Sequence, residues 1–208
     1  MASEVGQLAH PTVPGSAHAA RLGMWVFLGT EVLLFGVLFA GYAVYRHLYG
    51  AAFAECSHHL DRTLGTVDTI ILITSSLTMA LSLPLVRARE RRLALIAIGA
   101  TVALGIGFLC VHGHEYWTDI HAGALPGRLY HAEVTLPGAG LFYTLYYFMT
   151  GLHSIHVLFG VSLLTWLGLK VARDNDLPKT ETPLEMGGLY WHLIDLIWIF
   201  LYPLLYLI

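Results

Sequence analysis

Residues 22–42 read LGMWVFLGTEVLLFGVLFAGY, a run of 21 residues with one acidic and no basic side chain, the acid being Glu31 near its centre. A bilayer core of roughly 30 Å needs about 20 apolar residues in helix, because backbone polar groups in hydrocarbon must be satisfied inside the segment. The run therefore reads as a membrane crossing that carries a carboxyl. An ionisable group at membrane depth is costly, so Glu31 is a functional candidate from the outset.

Four more stretches qualify. With the first they run from Leu22 to Tyr45, Thr69 to Val86, Leu93 to His112, Ala139 to Leu169 and Met186 to Ile208. Bulk composition agrees: of 208 residues, 56% are hydrophobic and 12% charged, which places the chain in the membrane class. The expected fold is all-α, a polytopic bundle of five transmembrane helices over residues 21–208. The first twenty residues lack the basic start and short apolar core of a secretory signal and read as a mobile tail. A net charge of -3 and scattered cations argue against nucleic acid as a partner.

Lys and Arg are retained on the cytoplasmic side of a membrane. Arg21, Arg87, Arg89, Arg91, Arg92, Lys170, Arg173 and Lys179 fall on one side of the five crossings, whereas Arg46, Arg62 and Arg128 fall on the other. This asymmetry predicts a cytoplasmic N-terminus and an outer C-terminus. Trp25, Tyr45, Tyr49, Trp117, Tyr143, Trp166, Tyr190 and Tyr206 lie near the segment ends, where aromatic rings suit the interface. Gly99, Ala103 and Gly107 recur every four residues on the third crossing and predict close helix contact there. Cys56 and Cys110 do not amount to a disulfide framework or a thiolate metal site.

Glu31 and Asp195 are the acids expected deep in the bundle, while Asp68 is expected at the watery edge of the second crossing. At about 1.5 Å per residue, Glu31 lies roughly 14 Å beyond Leu22, near the midplane, and Asp195 reaches a similar depth from Met186. His153 and His156 share a face of the fourth crossing, as His192 and Asp195 do on the fifth. Two roles fit such residues: hydrogen bonding across helices to fix packing, and proton movement centred on Glu31. A bis-histidine haem needs ligands on opposite faces of the iron, which His153 and His156 on one helix face do not supply. His112 and His114 with Glu115 form a short tract that is a weak sign of a metal. No intrinsic haem or metal is expected.

Four segments carry a resemblance to a known family. They are LGMWVFLGTEVLLFGVLFAGY around Glu31, GFLCVHGHEY around Glu115, GLHSIHVLFG around His153 and His156, and YWHLIDLIWIFLY around His192 and Asp195. In that order they resemble subunit III of the haem-copper terminal oxidases, the cytochrome c oxidase type. The resemblance implies a non-catalytic helical bundle without haem or copper of its own, packed beside a catalytic subunit I and a subunit II that hold those groups. It implies support for proton uptake and stability of the catalytic subunit, bound phospholipid, and a bacterial cytoplasmic membrane. Glu31 matches the family's buried glutamate, and His153, His156, His192, Glu115 and Asp195 are expected as interhelical polar partners, with no catalytic residue in this chain.

Two departures from the family stand out. Many members have seven crossings, and this chain reads as a five-crossing form without the first two. His112 stands where the family pattern commonly has Gln. Five-crossing forms include quinol oxidases, so the electron donor stays open between cytochrome c and quinol. The rival readings are a stand-alone membrane proton carrier and a haem-bearing membrane cytochrome.

Overall fold

The structure is a computed structural model that describes residues 15–126, 131, 134–174 and 176–207. Six helices follow in order: α1 (Gly15–Leu48), α2 (Gly50–His59), α3 (Arg62–Arg87), α4 (Arg91–His121), α5 (Ala139–Arg173) and α6 (Pro178–Tyr206). All but α2 are long and apolar enough to cross a membrane, and no strand occurs among the described residues. Arg128 and residues 1–14 of the expected tail lie outside the described residues, and residues 15–20 form the first turns of α1.

Four crossings close a ring: α3 lies against α4 and α6, and α5 against α4 and α6. On α3 the buried positions are Gly65, Asp68, Leu72, Ser75, Met79, Ser82 and Val86, separated by alternating steps of three and four. On α4 they are Ala94, Ile98, Thr101, Gly105, Phe108, His112 and Glu115, with the same alternation. This is the 3.5-residue seam of left-handed helix pairs, whose axes cross at about 20°. The two helices are joined by a tight reversal in which Arg89 takes a φ of 60° and the Ala88 amide donates to the Pro84 carbonyl.

Side chains of α6 fill the centre of the ring. The Trp191 indole sits where Gly105 and Gly160 leave room, since a Cβ at Gly105 would meet its Cη2 at 2.6 Å and one at Gly160 its ring at 2.9 Å. Its Nε1 donates to the Ser75 hydroxyl at 3.0 Å, and Trp198 Nε1 donates to Thr69 at 3.1 Å. Burying an indole is therefore compensated at its one polar atom each time. The small-residue stripe turns out otherwise: Gly99 and Ala103 are exposed and Gly107 has open space at its Cα, so this stripe faces outward. Four-residue spacing fixes a helix face but not which face packs, and the seam runs through Gly105 instead.

Outside the ring stands α1, which touches only α2, α5 and α6 among the described residues. Two polar links hold it to α6: Tyr42 donates to the Leu204 carbonyl at 2.8 Å, and Arg21 pairs with Glu185 at 2.8 Å. The short α2, missed in the sequence reading, tucks Phe53 and Cys56 under Tyr42 and Phe142. Cys56 is buried and Cys110 exposed, and both thiols are free.

Several boundaries move. Helix α4 runs nine residues past His112, the expected end, and α6 starts eight residues before Met186, at Pro178. Proline at a helix start loses no intrahelical bond, so it initiates α6 where hydropathy alone sees a polar connection. Helix α3 starts at Arg62, capped by the Asp61 carboxylate accepting from the Thr63 and Leu64 amides.

Candidate functional site

Polar side chains inside the bundle fall into three groups. The first joins α1 to α5. Glu31, the seventeenth of 34 residues in α1, brings Oε2 to 3.0 Å from His156 Nε2. The contact is of ion-pair length although its angle lies off the hydrogen-bond line. His156 Nδ1 is 2.8 Å from the Leu152 carbonyl, which can only accept, so this nitrogen carries a hydrogen. Nε2 is left to face the carboxyl. Tyr190 donates to the His156 carbonyl at 3.1 Å, and Phe35 packs edge-on to the imidazole. Both side chains keep a little exposure, 13% for Glu31 and 16% for His156.

The second group joins α6 to α3. His192 Nδ1 lies 2.7 Å from the Ser76 hydroxyl. Asp195, 3% exposed, turns toward the same hydroxyl, and neither of its oxygens reaches hydrogen-bond geometry with a protein partner. The sequence expectation that His192 and Asp195 share a face holds, because both address Ser76. Glu31 and Asp195 address different neighbours: one carboxyl faces α5 and the other α3.

The third group lies near the other end of the ring, on the α3–α4 seam. Asp68 is fully buried, which corrects its expected place at a watery edge. The reason is the early start of α3, which puts Asp68 more than a turn inside the helix and one seam step before Leu72. It stands 3.6 Å from His112 Nδ1, and the same nitrogen is 3.3 Å from Glu115 Oε2. Tyr206 of α6 donates to Glu115 Oε2 at 2.8 Å. His114, grouped with His112 in the sequence, is exposed and points elsewhere. Buried acids are thus not limited to Glu31 and Asp195: Asp68 and Glu115 join them, nearer one end of the bundle.

His153 is also buried, yet it parts from His156. Its ring packs against Phe108 and Trp198, and neither nitrogen has a hydrogen-bond partner. Of the aromatic residues assigned to the interface, Trp25, Tyr45, Tyr49, Trp117 and Trp166 are exposed, whereas Tyr143, Tyr190 and Tyr206 are core. A hydroxyl bonded inside the bundle serves a tyrosine as well as water does.

Comparison with known proteins adds an independent finding. Residues 9–208 match the family described as Cytochrome c oxidase subunit III. Cytochrome c oxidase subunit 3 of Synechocystis sp. is 31% identical over 203 residues, covering 94% of this chain and 81% of the relative. Cytochrome c oxidase subunit 3 of Bacillus subtilis is 30% identical over 186 residues, covering 89% and 84%. Probable quinol oxidase subunit 3 of Staphylococcus haemolyticus is 30% identical over 189 residues, covering 90% and 88%.

Proposed function

This chain belongs to the cytochrome c oxidase subunit III family, and from that premise we propose that it is the non-catalytic third subunit of a proton-pumping respiratory terminal oxidase. It is an integral membrane protein with bacterial relatives. Its companions are a catalytic subunit I and a subunit II, which hold the haem and copper. The observation that carries the functional reading is the Glu31–His156 pair, a carboxyl kept midway along a membrane-crossing helix 3.0 Å from an imidazole of the next element inward. In a subunit without redox groups of its own, such a pair serves a neighbour: it supports proton uptake by the catalytic subunit and holds α1 in place. Both name types among the relatives fit, so cytochrome c and quinol remain the two candidate donors.

Our reading assigns the cation-rich end to the cytoplasm, on the bias of Lys and Arg to that side. Arg21 pairs there with Glu185 and Arg87 with Glu181, while Arg91 donates to the Asp174 carbonyl. The open side of α1 also forms an apolar groove with α6, lined by Phe35, Phe39, Leu196 and Phe200, whose chemistry suits a phospholipid acyl chain.

Tagging the chain and purifying it from membranes in mild detergent tests this reading. The expected result is co-purification with two larger subunits that carry haem and copper, and with Glu31→Gln an oxidase that assembles but loses proton uptake during sustained turnover. A chain that purifies alone and moves protons when reconstituted in vesicles would instead be a stand-alone carrier. A haem spectrum from the isolated chain would make it a membrane cytochrome.

A further inference from the structure

The third polar group has features that packing does not require. Asp68 is 0% exposed, and the Asp68, His112 and Glu115 side chains present one ligand atom each, all within 4.8 Å of one another. Neither Asp68 oxygen, neither His112 nitrogen and not Glu115 Oε1 has a hydrogen-bond partner. A direct hydrogen-bonded network accounts poorly for these positions. Charge-assisted N–H···O contacts close to about 2.7–2.9 Å. Here the separations are 3.3 Å and 3.6 Å, and both end on the same nitrogen, His112 Nδ1, which carries at most one hydrogen.

The same separations suit atoms that share a cation between them. Bonds of about 2.0–2.1 Å from imidazole nitrogen and carboxylate oxygen to a tetrahedral zinc give ligand-to-ligand edges of about 3.3–3.4 Å. Charge leads to the same place. Two ionised carboxylates in a buried site are costly unless compensated. With a neutral imidazole, one divalent cation makes the group neutral overall. We propose that Asp68, His112 and Glu115 form a binding site for a divalent transition-metal ion of the zinc class, bound by His112 Nδ1 and one oxygen of each carboxylate.

Around this set the structure supplies the supports a metal site needs. Tyr206 donates to Glu115 Oε2 at 2.8 Å and so fixes a ligand from outside. The His112 ring is held by Phe108, stacked at 5.5 Å, and by Tyr116 and Trp198. Because α3 and α4 are locked along their seam, the ligands from the two helices are positioned before any ion arrives. The site is close to one end of the bundle: Asp68 lies six residues from the start of α3 and Glu115 six from the end of α4, about 9 Å along each axis. One imidazole with two carboxylates is a borderline donor set, which favours zinc or manganese over copper(I) and over calcium. Thus the expectation of a metal-free chain is revised in one respect: a structural ion is proposed here, while haem and redox copper are still assigned to partner subunits.

The test uses the full chain alone in detergent and is independent of its role in an oxidase. Zinc is titrated into metal-free protein against a chromogenic chelator. One tightly bound zinc per chain is expected, with affinity lowered about 100-fold or more by His112→Gln and by Asp68→Asn, since even outer partners of a ligand cost 10–100-fold. A His58→Ala, His59→Ala double variant, which removes two exposed surface imidazoles, should bind as the unaltered chain does. X-ray absorption on the zinc-loaded unaltered chain needs no variant to fold, and should show one nitrogen from imidazole with the remaining ligands oxygen at about 2.0–2.1 Å. No retained zinc would mean the cluster holds protons only. A first shell with two or more imidazoles, or equal binding by His112→Gln, would place the ion on surface histidines. Either result overturns the proposal.

Discussion

Replacing Glu31 and His156 by Gln, singly and together, should reveal a coupling free energy of about 0.6–1.7 kcal/mol between them. Two unit charges at the observed 3.0 Å attract by about 5.5 kcal/mol at an effective dielectric constant of about 20. Both side chains are largely removed from water, and the lost hydration offsets most of that attraction. Polar contacts between membrane helices retain about 0.6 kcal/mol on average and up to about 1.7, which sets the expected range. The assay is reversible unfolding of the full chain in mixed SDS micelles, followed by helicity. Glu31→Gln combined with Asp195→Asn is the internal comparison, and those effects should add within about 0.5 kcal/mol because the two carboxyls address different helices. Coupling near zero for Glu31 with His156, together with coupling above about 1 kcal/mol for Glu31 with Asp195, would refute the pairing.

Other expectations follow from close contacts and from burial. Gly105→Ala places a Cβ 2.6 Å from Trp191 and 2.8 Å from Val161, and should cost about 1–3 kcal/mol in the same unfolding assay. Gly99→Ala meets nothing within 4 Å and should change stability by less than about 0.5 kcal/mol. Gly138 has a φ of 103° and would drive a Cβ to 2.7 Å from the Tyr49 ring, so Gly138→Ala should destabilise the α2–α5 end by about 1–3 kcal/mol. Burial, with the Glu55 charge second, pushes the Cys56 thiol up to about 12. In a Cys110→Ser background it should resist iodoacetamide at pH 9 in the folded chain and react once unfolded. The sign is that of a raised acid: this stabilisation is complete below the unfolded value of about 8.5 and is lost as pH rises toward 12.

The crossings were legible because hydrocarbon imposes a length and an apolar composition on every helix that spans it. Their ends were less so. Hydropathy stops at the first polar residue, but a helix continues as long as its backbone bonds and caps allow, as α4 does through His121 and α3 from its Asp61 cap. Partners were the least legible. Helical spacing tells which residues share a face and leaves open which neighbour that face meets. So His192 and Asp195 could be placed on one face, whereas the pairing of Glu31 with His156 across two helices could not be read from either segment alone.

Asp68 shows what signal was present and unused. Leu72, Ser75, Met79, Ser82 and Val86 keep the three-and-four rhythm of a packed seam, and one further step backward lands on Asp68. On the next helix the same rhythm through Ile98, Thr101, Gly105 and Phe108 arrives at His112 and Glu115. Antiparallel helices joined by a short reversal have matching seams at equal distances from the turn. Asp68 lies 21 residues before Arg89, and His112 and Glu115 lie 23 and 26 after it, so the meeting of these three groups was encoded in register. Hydropathy discards such a relation because it averages over the helix circumference. A charged seam residue can meet its compensating group only at the matching level of the facing helix, so register, followed from the turn outward, identifies buried ion sites that apolar run-length conceals.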